Sequence, residues 1–179
     1  MWPVFNALAV LAIVDVLGFS RDKAAKALAK FTGTGRRFEL RGEVQGISVF
    51  DDYAHHPTEI KATLAGARAR YPNLRIWAVW QPHTYSRTHA LYLEFSRAFK
   101  DADEVIVTEV YAAREPQQDF TSAEIVSGMP HHSARFIALL DGVTKYLLEN
   151  LKPGDVLIVL SAGDADKICM DVLKGLKER

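Results

Sequence analysis

Hydrophobic and polar positions divide the chain into a short helical start and a longer region in which strands and helices alternate. Residues 6–18 are almost entirely apolar, which is typical of a helix that packs on more than one side. Gly18 has the character of a helix stop, and Ser20 that of an N-cap for a second helix over residues 21–31.

The segment TGTGRR then interrupts the helical pattern with two glycines. Clusters of glycine and polar residues between periodic segments indicate loops. We therefore expect a domain boundary at Gly33. The sequence predicts a helical segment over residues 1–33, left over from another domain, and a separate domain over residues 34–179.

Strand and helix patterns alternate through that second domain. The run LRIWAVWQP is almost wholly apolar, as expected for a strand that is buried on both faces of a parallel sheet. Predicted strands cover residues 37–44, 46–53, 74–82, 104–111, 134–139 and 155–163, the first two as a hairpin. Predicted helices cover residues 57–71, 87–102, 121–129, 141–151 and 164–178.

This alternation predicts an α/β fold with a mostly parallel sheet and helices on both faces. Parallel crossovers are right-handed, which favours a doubly wound, Rossmann-like topology. In such sheets ligands bind outside the carboxyl ends of the strands. Four segments rich in polar residues follow predicted strands: DDYAHHPT, QPHTYSRT, EVYAAREP and SAGDADK.

Composition narrows the function classes. The 179 residues carry 22 basic and 22 acidic side chains, so nothing indicates a nucleic-acid-binding surface. The apolar run near the start contains Asn6 and Asp15 and is too short for a membrane span, and no signal peptide precedes it. Cys169 is interpreted as a buried structural thiol in a reducing compartment. The cytoplasm is the expected location.

The segment DDYAHHPT offers a carboxylate, Asp51 or Asp52, that could accept hydrogen bonds from a ribose diol. Pro57 suits the first turn of a helix, so His55 and His56 lie beside a helix N-terminus that favours anions. The alternative is an aspartate cap with two exposed histidines. Adjacent histidines point apart and rarely share one ion, so we assign no metal ligand.

In QPHTYSRT, His83 and Arg87 precede a helix, and arginine suits the capture of a carboxylate or phosphate. The alternative is a capped helix start with Arg87 on the surface. Arg114 and Glu115 are interpreted as a surface ion pair. Gly163, with the aspartate after it, either holds a ligand or only turns the chain.

Two absences bear on the chemistry. The sequence contains no GxxxxGK(S/T) motif, so this chain has no P-loop of its own. It also contains no nucleophile elbow and no serine, histidine and aspartate at a recognisable spacing.

The strings DDYAHHPTEIKATL and QPHTYSRT, supported by FNALAVLAI, GTGRRFE, TEVYAAREP and SAGDADKI, resemble the C-terminal domain of the Mur ligases over nearly the whole chain. The resemblance implies a cytoplasmic ATP-dependent ligase of peptidoglycan synthesis that joins L-alanine to the carboxylate of UDP-N-acetylmuramate through an acyl phosphate. It also implies a fragment that lacks the N-terminal and central domains. Such a fragment is expected to be inactive and to hold no cofactor alone, since ATP and Mg²⁺ belong to the full enzyme.

The resemblance also implies roles for individual residues. Nucleotide contacts fall to Asn6 for adenine, Arg37 across the hinge and Asp52 for the ribose. Tyr53 and His55 would lie at the amino-acid pocket, with His55 the nearest candidate for a general base, and His83 and Arg87 would hold the alanine carboxylate. Thr84 stands where some members of the family carry a second arginine.

Two other functions stay open. The muropeptide-recycling relative attaches a tripeptide instead of alanine, but it usually has phenylalanine where Tyr53 stands and lacks the HxxSRT string. A stand-alone module that binds a nucleotide or another acidic ligand without catalysis is the third hypothesis, and a native start at Met1 would support it.

Overall fold

The computed structural model describes residues 2–31 and 34–179. It divides into two compact units, Met1–Gly35 and Arg36–Arg179. The boundary predicted at Gly33 falls outside the described residues, as does the proposed start at Met1. Within the described residues, no helix is long and apolar enough to cross a membrane.

The first unit consists of two helices, α1 (Trp2–Val16) and α2 (Arg21–Ala29). Gly18 follows α1 at φ +70°, a conformation that suits glycine, which confirms the predicted stop. Ser20 caps α2 as predicted, because its side chain accepts a hydrogen bond from the Lys23 amide at 3.4 Å. No residue between 4 and 31 is buried within the structure.

The second unit is a six-stranded sheet with helices on both faces, which confirms the predicted fold class. Its strands are β1 (Glu39–Val44), β2 (Ile47–Asp52), β3 (Ile76–Trp80), β4 (Glu104–Val107), β5 (Ala134–Phe136) and β6 (Val156–Leu160). Its helices are α3 (Pro57–Arg70), α4 (Tyr85–Ala90), α5 (Tyr92–Ser96), α6 (Ala123–Ser127), α7 (Leu140–Asn150) and α8 (Lys167–Lys177).

The strand order is β1-β2-β6-β3-β4-β5. The hairpin of β1 and β2 is antiparallel, and all the other pairs are parallel. The last strand of the chain, β6, therefore lies between β2 and β3 and brings its carboxyl end to theirs. This order gathers the polar segments after β2, β3 and β6 at one edge of the sheet.

Alternate residues of β3 contribute to two separate cores. Ile76, Ala78 and Trp80 pack into the core beneath α3 to α6, whereas Trp77 and Val79 pack into the core beneath α7 and α8. All five residues are at most 2% exposed, as the continuous apolar run predicts. Cys169 is also fully buried, and burial raises the pKa of its thiol to about 12, in agreement with the structural interpretation.

The single helix predicted over residues 87–102 is wrong. The chain forms two short helices, α4 and α5, separated at Leu91, whose φ of −114° and ψ of 24° lie outside the helical region. After the break, the rings of Phe95 and Phe99 lie 4.5 Å and 5.4 Å from that of Trp80. The chain after the break thus places both aromatic side chains in the core beside Trp80.

Candidate functional site

The turn after β2 is built mainly by contacts within its own sequence. His56 is the N-cap of α3, and its Nδ1 accepts a hydrogen bond from the Thr58 amide at 3.3 Å. Glu59 completes a capping box by accepting from the amides of His55 at 3.0 Å and His56 at 3.2 Å. Pro57 occupies the first turn, as predicted. The backbone around His55 is therefore fixed.

Asp52 points into the protein. It is 4% exposed, and its carboxylate accepts hydrogen bonds from the Phe38 amide at 2.8 Å, the Ala54 amide at 2.7 Å and the Thr63 hydroxyl at 3.3 Å. Burial raises its pKa, and these hydrogen bonds oppose the rise. Asp52, the residue predicted to bind the ribose, thus connects the segment before β1 to α3 in the described structure.

The two arginines of the GRRFE segment have different environments. Arg36 forms an ion pair with buried Asp51 at 3.0 Å and donates to the Ser161 carbonyl at 2.8 Å. The Arg37 side chain is half exposed, with Glu59 as an ion-pair partner at 3.6 Å. Both guanidiniums lie within 6 Å of the Tyr53 ring centre, at 5.3 Å and 5.7 Å. Arg37 is thus the one that can reach a ligand.

Hydrogen bonds fix the tautomer of His55. Its Nδ1 lies 2.9 Å from the Tyr53 carbonyl oxygen, which can only accept, so this nitrogen carries the proton. A carboxylate oxygen of Glu59 lies 3.5 Å from the same nitrogen. In the neutral ring Nε2 therefore has the free lone pair, as a general base requires.

His83 has the opposite tautomer. Its Nδ1 lies 3.4 Å from Nη1 of Arg87, and a guanidinium can only donate, so Nδ1 accepts and Nε2 carries the proton. Burial, and then the nearby charge of Arg87, lower the pKa of His83. The His55 and His83 ring centres are 6.1 Å apart. The site thus places a proton acceptor beside a proton donor.

Tyr111, which the sequence analysis did not single out, adds a third ring beside those of His55 and His83. Its ring stacks on that of His83 with 5.7 Å between the centres. Its backbone donates to the Pro82 carbonyl at 2.8 Å and accepts from the Thr84 amide at 2.9 Å. Its place at the end of the fourth predicted strand was the available signal, since three other strand ends already carried candidate residues.

Gln81 is the second residue that sequence reasoning missed. It is 4% exposed, and its Oε1 accepts hydrogen bonds from the Ser161 hydroxyl and from the amides of Asp164 and Ala165, at 2.8 Å to 3.1 Å. A Cβ on Gly163 would lie 2.5 Å from the same oxygen. The sequence left open whether Gly163 and the aspartate after it hold a ligand or only turn the chain. The described contacts fit the second interpretation.

The ion pair predicted between Arg114 and Glu115 is wrong. Glu115 instead accepts hydrogen bonds from the amide of Ser86, at 3.0 Å, and from the Ser86 hydroxyl. This side chain joins the segment after β4 to the start of α4. Its partner lies 29 residues away, so spacing along the chain gave no signal for the contact.

The structure brings four of the predicted site residues together at one edge of the sheet: Tyr53, His55, His83 and Arg87. Arg37 lies against Tyr53, and Asp52 lies beneath this edge. Asn6 belongs to α1 in the other unit. Among residues 2–31 and 34–179, no group of three or more histidine, cysteine or acidic side chains is arranged to hold a metal ion.

Comparison with known proteins identifies the family. The family described as "Mur ligase, glutamate ligase domain" matches residues 36–163. This chain belongs to the Mur ligases. Relatives include UDP-N-acetylmuramate–L-alanine ligases from Acetivibrio thermocellus, 46% identical over 92% of this chain, and from Alkaliphilus metalliredigens, 42% identical over 95%. The match covers 36% and 37% of those two proteins, so the chain spans about a third of their length.

Solved Mur ligase structures support the same assignment. A UDP-N-acetylmuramate-alanine ligase from Thermotoga maritima is 30% identical, with a TM-score of 0.78, over 98% of this chain and 37% of that one. A murein peptide ligase from Psychrobacter arcticus is 29% identical, with a TM-score of 0.76, over the same shares. The two scores are too similar for the fold alone to distinguish the two kinds of Mur ligase.

Proposed function

We propose that this chain is the amino-acid-binding part of an ATP-dependent Mur ligase that joins L-alanine to UDP-N-acetylmuramate in the cytoplasm. The observation that carries the proposal is the group formed by Tyr53, His55, His83 and Arg87 at the carboxyl edge of the sheet. The names of the relatives at 42% and 46% identity support the substrate.

In this proposal Arg87 and His83 bind the carboxylate of the incoming amino acid. The Arg87 guanidinium forms no ion pair with any residue in the described part of the chain, so its charge is available to a ligand. The proton on Nε2 of His83 provides a second donor, fixed by the bond between Nδ1 and Arg87. Because Arg87 and His83 hold the carboxylate from one side of the site, they also orient the amino group of the substrate.

His55 would accept a proton from that amino group. An α-amino group is largely protonated at neutral pH and must lose a proton before it attacks a carbonyl carbon. Nε2 of His55 has the free lone pair, and the Tyr53 carbonyl and Glu59 hold the ring. The amine then forms the new carbon–nitrogen bond, and phosphate leaves from the activated carboxylate.

ATP, when bound, supplies the phosphoryl group that activates the muramate carboxylate. The half-exposed guanidinium of Arg37 suits a phosphate. The buried carboxylate of Asp52 fits a ribose less well, because a diol would have to compete with three internal hydrogen bonds. The proposed contact of Asn6 with adenine requires the remainder of the enzyme, as does Mg²⁺.

We also propose that residues 1–33 are the last helices of the central ATPase domain and that residues 34–179 are the C-terminal domain. The lack of any buried residue between 4 and 31 supports this, since apolar side chains such as Phe5, Leu8 and Ile13 need a surface to cover them. The part of the relatives that lies beyond this chain would provide such a surface.

The test is an assay of phosphate release by the full-length enzyme with ATP and UDP-N-acetylmuramate. L-Alanine should support turnover, whereas the tripeptide L-alanyl-γ-D-glutamyl-meso-diaminopimelate should not. Preference for the tripeptide would favour the recycling ligase, and ATP binding without turnover of either substrate would favour the binding module.

Variants of the same enzyme assign the roles. Arg87→Ala should raise the KM for L-alanine about tenfold or more, because a charge-assisted hydrogen bond is lost, and should leave the KM for ATP unchanged. His55→Gln should lower kcat by about 100-fold. Arg97→Ala is the control, since Arg97 is exposed and has no polar side-chain contact in the described structure. An equal effect of Arg87→Ala on both KM values would contradict the carboxylate assignment.

A further inference from the structure

The helix that carries Arg87, α4, lacks a local capping hydrogen bond. Thr84 occupies the N-cap position of α4, but its side chain makes no capping hydrogen bond. Its φ of +69° is uncommon for a β-branched residue, so the turn must be held by contacts from elsewhere.

Glu115 supplies the missing cap from another segment. One carboxylate oxygen accepts from the Ser86 amide at 3.0 Å, and the other accepts from the Ser86 hydroxyl. The amide is one of the free N–H groups of the first turn of α4, which an N-cap normally satisfies. The cap is therefore long-range, between residues 29 positions apart.

The segment that carries Glu115 is itself fixed to the same turn. Tyr111 donates to the Pro82 carbonyl and accepts from the Thr84 amide, and the Glu115 amide donates to the Ala112 carbonyl at 3.0 Å. The backbone of Tyr111 thus pairs with residues 82–84, and the turn that follows brings the Glu115 side chain to Ser86. Glu115 is the side-chain end of this connection, and it bonds to the residue immediately before Arg87.

We propose that Glu115 is a positioning residue, which holds the first turn of α4 so that Arg87 and His83 face the carboxylate of the incoming amino acid. This inference rests on the proposed function. Ser86 contacts both oxygens of the Glu115 carboxylate, and in the described structure no ion pair joins that carboxylate to Arg87. The hydrogen bonds from Ser86 are the main reason that the pKa of Glu115 is lowered, and the more distant charge of Arg87 contributes. Glu115 therefore fixes the helix without occupying the guanidinium that the substrate requires.

The full-length enzyme carrying Glu115→Ala, Glu115→Gln or Glu94→Ala tests the proposal. Glu115→Ala should raise the KM for L-alanine at least about fivefold while kcat and the KM for ATP change less than about twofold. Glu115→Gln should restore most of the affinity, because an amide oxygen accepts from the Ser86 amide and an amide nitrogen donates to its hydroxyl. Glu94, an exposed glutamate on α5 without a side-chain hydrogen bond or ion pair in the described structure, is the matched control.

Two kinetic outcomes would overturn the proposal. One is an equal rise in the KM for ATP and for L-alanine in Glu115→Ala, which indicates a general structural role. The other is a Glu115→Gln variant as impaired as Glu115→Ala, which indicates that the charge matters rather than the two hydrogen bonds.

Hydrogen exchange of the same proteins separates this proposal from the proposed function. Peptides covering residues 85–91 should lose protection in Glu115→Ala but not in Glu94→Ala. If the wild-type enzyme does not use L-alanine, the proposed function fails, and exchange still reports on the cap. If exchange rises while the KM for L-alanine stays unchanged, the cap exists but does not position the site, and the positioning role is refuted.

Discussion

The turns after β2 and β3 reach the same edge of the sheet by different means. After β2, His56 and Glu59 form a capping box within four residues of His55, and Pro57 occupies the first turn of the helix. After β3, the helix start lacks a local cap and depends on Glu115, 29 residues further along the chain. The first turn is encoded locally and the second by the tertiary structure, although both carry site residues.

This difference predicts where the site is vulnerable. A locally capped turn keeps its cap when a neighbouring loop changes, because the capping hydrogen bonds stay within the segment. A turn held by distant partners is weakened when one of those partners is removed. The turn after β3 has three such partners, namely Tyr111, Glu115 and, through Gln81, the turn after β6.

The largest effect is expected for Gln81→Ala. It removes the acceptor shared by the Ser161 hydroxyl and the amides of Asp164 and Ala165. Buried groups left without a partner cost about 1–3 kcal/mol each, so we expect a loss of about 3 kcal/mol in the free energy of unfolding. Urea unfolding followed by tryptophan fluorescence measures it, with exposed Gln117→Ala as the control. A loss below about 1 kcal/mol would show that water replaces the amide oxygen.

The next largest effect is expected for Gly163→Ala, compared with Gly66→Ala. A Cβ on Gly163 would lie 2.5 Å from Oε1 of Gln81 and 2.7 Å from Cγ of Tyr111, whereas one on Gly66 meets nothing within 4 Å. We expect the first change to destabilise the fold by about 2 kcal/mol. Gly66 lies within α3, so the second should stabilise it by up to about 1 kcal/mol. Thermal unfolding gives both values, and two changes of the same sign would contradict the predicted crowding.

The same difference explains how far the sequence could predict the site. Three features depend on residues that are neighbours in the sequence, and they were predictable. They are the buried strands, the order of those strands along the chain, and the capped turn after β2. The hydrogen bonds of Gln81 reach Asp164, 83 residues away along the chain. The order of the strands in space decides which segments meet. The roles of Gln81, Tyr111 and Glu115 follow from that order, so residue patterns alone did not reveal them.

Asp52 illustrates a second limit, which concerns its surroundings, whereas its contact with a ribose stays a prediction. A carboxylate at a strand end near a predicted site indicated a ligand contact. The structure gives that carboxylate three internal partners, including the Phe38 amide before β1. The opposite directions of neighbouring side chains on an extended strand were predictable. The segments that would surround each aspartate were not.

A smaller effect is expected at the local turn. Glu59→Ala should cost about 1 kcal/mol, since a capping box is lost but Pro57 and the His56 cap remain. Burial of Glu59 is outweighed by the amides of His55 and His56 and by nearby positive charges, so its pKa is lowered. Its stabilisation is therefore complete above the unfolded pKa of about 4.5 and is lost as the pH falls through the lower folded value.

Unfolding of Glu59→Ala and the wild type at pH 7 and at pH 3 measures this effect. The difference in the free energy of unfolding should shrink at the acidic value. A difference that stays constant with pH would show that the Glu59 side chain acts by packing rather than by its charged hydrogen bonds.

The smallest effect is expected on the proton affinity of His83. Burial is the main reason that its pKa is lowered, and the positive charge of Arg87 is the second. Arg87→Ala should therefore raise the pKa of His83 but leave it below the ordinary histidine value, because burial remains. NMR titration of the histidine rings measures the change, with Arg97→Ala as the control. An unchanged pKa would mean that Arg87 does not face the His83 ring in solution. The assignment of His83 as a donor through Nε2 would then lose its basis. His55 would keep its tautomer, because the Tyr53 carbonyl fixes it.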